Sequence, residues 1–587
     1  MKQILNYLKP YGFRMFYGFL IKVLGTFMDL GLPWVLAYII DEVIPLKKVN
    51  FILLWGLIML LLSVGARTFN IIANRMASRV AADSVRTIRH DLFKKILDLS
   101  GAQVDHLSIP SLVSRMTSDT YNLHQMIGMM QRLGVRAPII LIGGIIITAT
   151  LEPVLTLILV GILPLLGFAV YWVSKKGIPL YTLSQSASDK MIRIVRENIT
   201  GIRVIKALSK SIYENQRFQS ANGELVEKEL KAGSTMATIN PIMNLLLNVG
   251  LTLVVVVGAY RVNSGASEVG KIVAFLSYFT MILTAMMMIT RIFVILSKAT
   301  SSAGRISEVL ESKEELLTMR VEQFPTKPDS KDFHIEFDHV SFNYDEKIPE
   351  DNLNITGVEE NSTCVENITF NMKQGETLGI IGATGSGKTT LINLLMRYYD
   401  VTIGGIYMNG RNIKTIPLQQ LRQKFGVVFQ NDTIFADTIL GNINLSRDIS
   451  LEQAEQSAKD AQAAEFISEL SSAYDYPVAI KGANLSGGQK QRLLVSRALA
   501  GHPEILVLDD SSSALDYKTD AKLRNAIKNH YKDTTIIMVA QRISSIMHMD
   551  QILVMEDGKI IGQGKHEDLI ASCSVYNEIY QSQMGNQ

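Results

Sequence analysis

Six apolar stretches before residue 310 constrain the fold of this chain more than any other feature. Each has about 20 residues or more, which as a helix spans the ~30 Å hydrocarbon core of a bilayer. A helix satisfies its own backbone hydrogen bonds, so it is the form in which such a stretch can cross lipid. We therefore predict six transmembrane helices, at residues 15–44, 51–69, 133–151, 154–173, 239–259 and 272–296.

The composition indicates that the membrane-spanning part is not the whole protein. Of the 587 residues, 48% are hydrophobic, which is high for a soluble protein, and 19% are charged, which is high for one buried entirely in lipid. The net charge of +3 gives no reason to expect a nucleic-acid partner. We predict a transmembrane domain at residues 1–310, a linker at 311–331 and a soluble α/β domain at 332–587 that begins with a strand at 335–342.

The basic residues predict how the chain is oriented in the membrane. Residues 70–130 and 175–232 continue the helical pattern of the second and fourth spans and are rich in Lys and Arg, whereas the turn at Glu152-Pro153 has neither. The positive-inside rule therefore places both polar segments, both termini and the soluble domain in the cytoplasm, with the plasma membrane as the expected location. A Lys-Lys pair in the first outer loop counts against this orientation.

Residues 382–390 match G-x-x-x-x-G-K-[ST], the pattern of a loop that binds nucleotide phosphates. The apolar residues 377–381 predict a buried strand before the loop, and residues 391–399 predict a helix after it. In this context the backbone amides and the helix N-terminus point at phosphate oxygens. Lys388 is predicted to contact the β- and γ-phosphates, and the Thr389 hydroxyl to bind Mg²⁺.

Further motifs follow the phosphate loop: Gln430, the pentapeptide Leu485-Ser486-Gly487-Gly488-Gln489, an apolar stretch ending in Asp509, and Ser513-Ala514-Leu515-Asp516. Together they resemble the nucleotide-binding domain of ATP-binding-cassette (ABC) proteins, and the pentapeptide is highly specific to that family. Six spans ahead of one such domain resemble an exporter half-transporter, so the resemblance covers essentially the whole chain. It is closest to bacterial heterodimeric multidrug exporters, whose two ATP sites are unequal.

This resemblance implies that the chain binds ATP and Mg²⁺. Tyr344 would stack on the adenine, and the resemblance implies metal binding by Thr389, Gln430 and Asp509. The signature pentapeptide would bind the γ-phosphate of a nucleotide held by another subunit, which requires a dimer. The residues expected at the nucleotide are Tyr344, Gly382, Thr384, Gly385, Ser386, Gly387, Lys388, Thr389, Thr390, Gln430, Ser486, Gly487, Gly488, Gln489 and Asp516.

Interruptions in the two polar segments are the expected coupling regions of such an exporter. They lie near residues 101–118 and 201–213, and each is predicted to be a short helix across the tip of a helical hairpin, or else a simple loop. Through these tips, closure of the nucleotide-binding domains would switch the spans between inward- and outward-facing states.

Two catalytic positions depart from the family pattern. Asp510 stands where the family has the glutamate that polarises the attacking water, and Gln541 stands where it has a histidine that senses the γ-phosphate. An aspartate is one methylene shorter than a glutamate, and an amide cannot carry a positive charge or transfer a proton. A third departure, Ala479-Ile480-Lys481-Gly482, replaces a Gly-Glu-Arg-Gly-like run before the signature.

We interpret these changes as an attenuated ATP site in a heterodimer. The expected partner is a second, non-identical half-transporter with the family's glutamate and histidine, whose hydrolysing site would use the intact signature of this chain. A slow homodimeric exporter and an ATP-binding membrane regulator without transport are the alternatives.

Polar residues within the spans leave the substrate open. Asn240, Asn244 and Asn248 recur every four residues and so share a helix face, which would line a cavity or contact a neighbouring helix. Asp29 and Arg291 are charges within spans, and would be functional or form a structural ion pair. A hydrophobic or amphipathic substrate is expected, with drugs, lipids and short peptides all possible.

Overall fold

The computed structural model describes residues 2–313, 316–319, 332–344, 364–430, 432–511 and 515–584. The chain forms two compact units, one of Met1–Leu97 with Pro110–Ser312 and one of Asp98–Ile109 with Lys313–Gln587. Most of the predicted linker lies outside the described residues, so its boundaries stay predictions.

The part of the chain before residue 311 is helical. Within the described residues, six helices, some of them continuing across a short break, are long and apolar enough to cross a membrane. The predicted spans fall within them, and the predicted fold class is confirmed. The helices are α1 (Lys2–Asn6), α2 (Gly12–Tyr38), α3 (Val49–Leu97), α4 (Gly101–Leu107), α5 (Ile109–Ser114), α6 (Thr120–Leu151), α7 (Pro153–Thr200), α8 (Ile202–Ala207), α9 (Ser211–Ala237), α10 (Ile239–Asn263) and α11 (Val269–Leu310).

Two of these helices are much longer than a bilayer is thick. Helix α3 has 49 residues and α7 has 48, because no residue ends the helical pattern where the apolar run stops. At the turn between α6 and α7, Glu152 adopts an extended conformation and Pro153 occupies the first position of α7, where its missing N–H costs nothing. The long polar extensions predicted from the sequence are therefore present.

Short helices rather than simple loops form at both interruptions. Helices α4 and α5 lie at the first and α8 at the second. Helix α4, which belongs to the second unit, begins with a capping box in which Ser100 and Gln103 each accept a hydrogen bond from the other's backbone N–H. The coupling role of these helices stays a prediction.

As their spacing predicts, the three asparagines of the fifth span share one face of α10: Asn240, Asn244 and Asn248. The three side chains are exposed in this chain, so within the described residues they are not packed against a neighbouring helix. The methionines of α11 include Met281 and Met286, which pack partly buried against the core around Phe279.

The second unit is an α/β domain with two sheets. The strands of this unit are β1 (Ile335–Phe342), β2 (Val365–Met372), β3 (Thr377–Gly382), β4 (Ile403–Met408), β5 (Arg411–Asn412), β6 (Phe425–Val428), β7 (Ile505–Asp509), β8 (Thr535–Val539), β9 (Gln551–Glu556) and β10 (Lys559–Gly564). The smaller sheet has the strand order β2-β1-β4-β5, and the larger sheet has the order β10-β9-β3-β8-β7-β6. The remaining helices of this unit are α12 (Lys388–Leu395), α13 (Leu418–Gln423), α14 (Ile439–Asn444), α15 (Leu451–Asp460), α16 (Ala464–Glu469), α17 (Gly487–Leu499), α18 (Tyr517–His530), α19 (Ile543–Ile546), α20 (His566–Ser572) and α21 (Ser574–Met584).

The predicted strand at 335–342 is observed with the same bounds, whereas the helix after the phosphate loop differs from the prediction. Helix α12 begins at Lys388 rather than at residue 391, because Gly387, in the left-handed conformation, ends the loop directly before it. It ends at Leu395 rather than at 399. Arg397 has a positive φ of 52°, and an α-helix cannot continue through a residue in that conformation.

Candidate nucleotide-binding site

The candidate site lies at one edge of the larger sheet. Strands β3, β8, β7 and β6 run parallel, so their carboxyl ends meet at this edge. Ligands of open α/β sheets bind at such an edge. The phosphate loop follows β3, Gln430 follows β6, Asp510 follows β7 and Gln541 follows β8. The register pairs Asp509 with Val539, which brings the last two of these segments side by side.

Two glycines let the phosphate loop close tightly. A Cβ on Gly382 would lie 2.1 Å from the carbonyl oxygen of Met555, which excludes any larger residue. Gly387 has φ 92°, and a Cβ there would lie 2.7 Å from Val365. Gly385 has open space around it. The backbone therefore turns directly into the N-terminus of α12, a geometry suited to an anionic ligand.

The Lys388 ammonium lies inside the loop. Its Nζ donates hydrogen bonds to the carbonyl oxygens of Gly382 (3.0 Å) and Ala383 (2.6 Å) and to the hydroxyl of Ser386 (3.3 Å). Burial lowers the pKa of Lys388, and the negative charges of Asp509 and Asp510 partly offset this. A cation held within a ring of backbone groups fits the binding of a phosphate.

Thr389 and Asp509 offer oxygen ligands to a hard cation. The Thr389 hydroxyl donates to the Asp509 carboxylate over 3.1 Å, and Asp509 is only 2% exposed. Burial raises the pKa of Asp509, and the charge of Asp510 adds to this increase. Hydroxyl and carboxylate oxygens are the donors that Mg²⁺ prefers, so this pair fits a magnesium ion. Gln430 is exposed at the same sheet edge.

The two positions that depart from the family pattern contact each other. Gln541 donates a hydrogen bond from Nε2 to the Asp510 carboxylate over 2.9 Å, although the two residues lie 31 apart in sequence. Asp510 has a positive φ of 51°, and its backbone N–H donates to the carbonyl of Val539. Burial raises the pKa of the Asp510 carboxyl, against the charges of Arg542 and Lys388.

Tyr344 lies beside the start of α12. Its hydroxyl donates to the hydroxyl of Thr390 over 3.3 Å, while 43% of the residue remains exposed. The ring meets that of Tyr399 edge-on, with centroids 5.0 Å apart. An exposed aromatic face next to the phosphate loop fits the adenine-stacking role that the resemblance implies.

The signature pentapeptide forms the start of α17. The helix begins at Gly487, directly after its N-cap Ser486, and Ser486 and Gln489 form a capping box. Ser486 and Gly487 are exposed. Among the described residues, no hydrogen bond joins this segment to the phosphate loop of the same chain.

Asp516 has a local structural role. It is the N-cap of α18, and its carboxylate accepts hydrogen bonds from the backbone N–H and the hydroxyl of Thr519. The preceding residues 512–514 lie outside the described part of the chain.

Three residues that contact the site belong to no motif in the sequence. Gln583 of α21 donates to the carbonyl of Gln541 (2.9 Å) and accepts from the N–H of Ile543 (2.8 Å). The side chain of Gln491 on α17 donates to the carbonyl of Asp510. Arg542 is the basic neighbour of Asp510. Its position directly after Gln541 is the feature of the sequence that could have indicated this contact.

Comparison with known proteins agrees with this geometry. The profile described as "ABC transporter transmembrane region" matches residues 15–286, and that described as "ABC transporter" matches residues 365–513. The chain belongs to the ABC transporter family, as an ATP-driven exporter half-transporter whose ATPase domain follows its six spans. Half-transporters of this family work as dimers.

Its relatives match over nearly their full length. The uncharacterized ABC transporter ATP-binding protein YfiB of Bacillus subtilis (strain 168) is 34% identical, over 100% of this chain and 99% of YfiB. YfiC of the same strain, also an uncharacterized ABC transporter ATP-binding protein, is 27% identical over 99% and 94%. A solved structure of a bacterial Atm1-family ABC exporter with ATP bound shares the fold, with TM-score 0.80 and 23% identity over 97% and 98% of the two chains.

Proposed function

We propose that this chain is one half of a heterodimeric exporter and that its own ATP site hydrolyses slowly. The observation that carries the proposal is the 2.9 Å hydrogen bond from the Gln541 amide to the Asp510 carboxylate. In this arrangement the carboxylate accepts from a neutral amide just after the neighbouring strand β8, at the place where the family orients the attacking water.

The short side chain of Asp510 is a second reason for slow hydrolysis. Its carboxylate stands back from the position of a glutamate carboxylate by ~1.5 Å, about one carbon–carbon bond. A misplacement of about 1 Å can lower a rate on the order of 100-fold. Gln541 can hydrogen-bond a phosphate oxygen, but it supplies neither the charge nor the proton of a histidine. Binding is retained and hydrolysis is attenuated.

The binding machinery of the site supports tight nucleotide capture. Lys388 and the glycine loop would hold the phosphates, Tyr344 the adenine, and Thr389, Gln430 and Asp509 the Mg²⁺, which supplies charge neutralisation at the phosphates. The exposed start of α17 would bind the γ-phosphate of the partner's ATP. Each site of the dimer therefore combines one phosphate loop with the other chain's signature.

One bacterial strain, Bacillus subtilis (strain 168), has two different proteins of this kind, since YfiB and YfiC both match this chain over nearly its full length. The partner of this chain is proposed to carry glutamate and histidine at the two altered positions. The exporter would lie in the plasma membrane with its nucleotide-binding domain and both termini in the cytoplasm, and would expel a hydrophobic or amphipathic substrate.

The test compares ATP turnover by the purified chain alone with turnover by its complex with such a companion half-transporter. The complex should turn over at least on the order of 100-fold faster. In the complex, Asp510→Asn should leave turnover nearly unchanged, whereas removal of the companion's glutamate should abolish it. Rapid turnover by this chain alone, or loss of the complex's turnover on Asp510→Asn, would contradict the proposal. If the chain instead works as a slow homodimer, adding the companion should not increase ATP turnover.

A further inference from the structure

The first unit contains a group of charged side chains that the transport cycle described above does not use. Asp29, one of the two charges noted within the spans, pairs with Arg136 rather than with Arg291. The Arg136 guanidinium lies 3.0 Å from the Asp29 carboxylate, which also accepts a hydrogen bond from Asn70 over 3.2 Å. Arg291 is exposed on α11.

A second layer of the same group lies toward the polar extensions. Lys22 of α2 donates to the side-chain oxygen of Asn74 over 3.0 Å, and only 3% of Lys22 is exposed. Arg132 lies one helical turn before Arg136 on α6, and Asn74 lies one turn after Asn70 on α3. We call the six residues the basic cluster: Lys22, Asp29, Asn70, Asn74, Arg132 and Arg136.

The charges of the basic cluster do not balance. It has three cations, Lys22, Arg132 and Arg136, and one carboxylate, Asp29. Asp29 and Lys22 are largely shielded from solvent, and uncompensated charge in a poorly solvated region is costly. A bound anion would compensate the excess positive charge.

Donor groups are available for such an anion. The Nε atom of Arg136 is buried and has no hydrogen-bond partner among the described residues. Lys22 carries three N–H groups, and its one hydrogen bond with the described residues goes to Asn74. The Arg136 side chain is 27% exposed in this chain, so the chain itself does not fully enclose the cluster.

The depth of the cluster indicates the kind of anion. Its residues on α3 and α6 lie where the predicted second span ends, at residue 69, and the predicted third span begins, at residue 133, whereas Lys22 and Asp29 lie within the predicted first span, 15–44. The α3 and α6 residues are therefore near the level at which lipid headgroups meet the acyl chains, on the side of the long polar extensions. Basic pockets between transmembrane helices at this level bind anionic headgroups.

We propose that the basic cluster is a binding site for the phosphate group of an anionic amphiphile. Lys22, Arg132 and Arg136 bind the phosphate, and Asp29 holds Arg136 in place. The site is formed within this chain and does not depend on whether its ATP site is slow or its partner different, so the two proposals fail separately.

The test measures binding of phosphatidylglycerol to the full-length protein in phosphatidylcholine nanodiscs by native mass spectrometry. Lys22→Gln and Arg132→Gln each remove one cation but keep the Asp29–Arg136 pair. Each should weaken binding about fivefold, the effect of one basic side chain near a charged surface. Lys22→Arg should retain binding. The matched control is Arg291→Gln, which removes an exposed cation outside the cluster and should bind as the wild type does.

A second arm separates lipid from a soluble ligand. Glycerol phosphate is added to protein in nanodiscs of phosphatidylcholine alone, and thermal unfolding is measured for the same variants. Stabilisation that is lost in Lys22→Gln and Arg132→Gln supports the anion site and assigns it to a soluble phosphate. Wild-type protein without preference for phosphatidylglycerol and without stabilisation by glycerol phosphate would overturn the proposal. Equal loss in Arg291→Gln would also overturn it, because the effect would then be one of net charge.

Discussion

The contact between Asp510 and Gln541 joins the two positions at which this chain departs from the family pattern. Asp510 directly follows β7 and Gln541 lies two residues after β8, so the backbone at this edge of the sheet positions both side chains. Under the proposed slow hydrolysis, a longer carboxylate and an imidazole would have to be introduced together to recover turnover.

The double variant Asp510→Glu/Gln541→His should raise ATP turnover of the chain alone by on the order of 10- to 100-fold. The glutamate advances the carboxylate toward the water, and the imidazole can carry charge. Steady-state phosphate release measures the change. Asp533→Glu adds the same methylene in the exposed turn before β8, at the opposite edge of the sheet, and should change nothing. No increase in the double variant would show that slow turnover has another cause.

The buried Asp509 carboxylate should destabilise the nucleotide-free protein. Burial raises its pKa, so the native state binds this proton more tightly than the unfolded chain does. The ionised carboxylate is therefore unfavourable at neutral pH, and the penalty disappears as the pH falls through the folded-state pKa. Asp509→Asn should raise the Tm at neutral pH by about 2–4 °C.

The Tm difference should shrink as the pH is lowered below neutral, because the wild-type carboxyl then gains its proton. Asp516→Asn is the control, because hydrogen bonds from Thr519 lower the pKa of Asp516. That substitution should not raise the Tm. A lower Tm for Asp509→Asn at neutral pH, or a difference independent of pH, would contradict the assignment.

At the scale of secondary structure, α21 fixes the segment that carries Gln541. The Gln583 side chain bonds both the carbonyl of Gln541 and the N–H of Ile543, so the C-terminal helix sets the backbone between β8 and α19. Gln583→Ala removes both hydrogen bonds, each worth about 1 kcal/mol. Hydrogen exchange at the Ile543 amide should become roughly fivefold faster or more. Gln581→Ala, on the exposed face of the same helix, should leave this rate unchanged.

Helix α4 is attached to the rest of the second unit through Tyr399. Its hydroxyl donates to the Asp105 carboxylate over 2.6 Å, and the N–H of Gly101 donates to the carbonyl of Tyr398. Tyr399→Phe removes the first bond, worth about 1 kcal/mol, so amide exchange in α4 should become about fivefold faster. Tyr398→Phe is the matched control, since the Tyr398 hydroxyl makes no hydrogen bond with the described residues. Equal protection of α4 in both variants would show that the Tyr399 bond contributes nothing.

Elements with strong local signals could be predicted from the sequence, whereas their exact ends and lateral contacts could not. The alternation of residues 335–342 predicted β1 correctly, because alternate side chains face the core. The start of α12 was predicted three residues late, since it depends on a left-handed glycine rather than on hydrophobic spacing.

At the scale of the whole molecule, the six spans and the ATPase domain follow from composition and motif, but contacts between distant residues do not. The Asp29–Arg136 pair joins residues 107 apart, and the rotation of α2 and α6 that brings them together is set by packing along both helices. The same limit applies to Gln583 and Gln541, which lie 42 apart. The motifs predict which residues contact the nucleotide, which stays a prediction, and the structure gives the partners of these residues within the chain.

The central claim is that the two ATP sites of the assembled exporter are unequal. The complex with a companion half-transporter is loaded with photoreactive azido-ATP that carries a radioactive γ-phosphate or, in parallel, a radioactive α-phosphate, and is cross-linked after a single turnover. The account predicts that the γ-label stays on the site built on Lys388 of this chain and is lost from the companion, while the α-label remains on both. Loss of the γ-label from both chains at the same rate would contradict it.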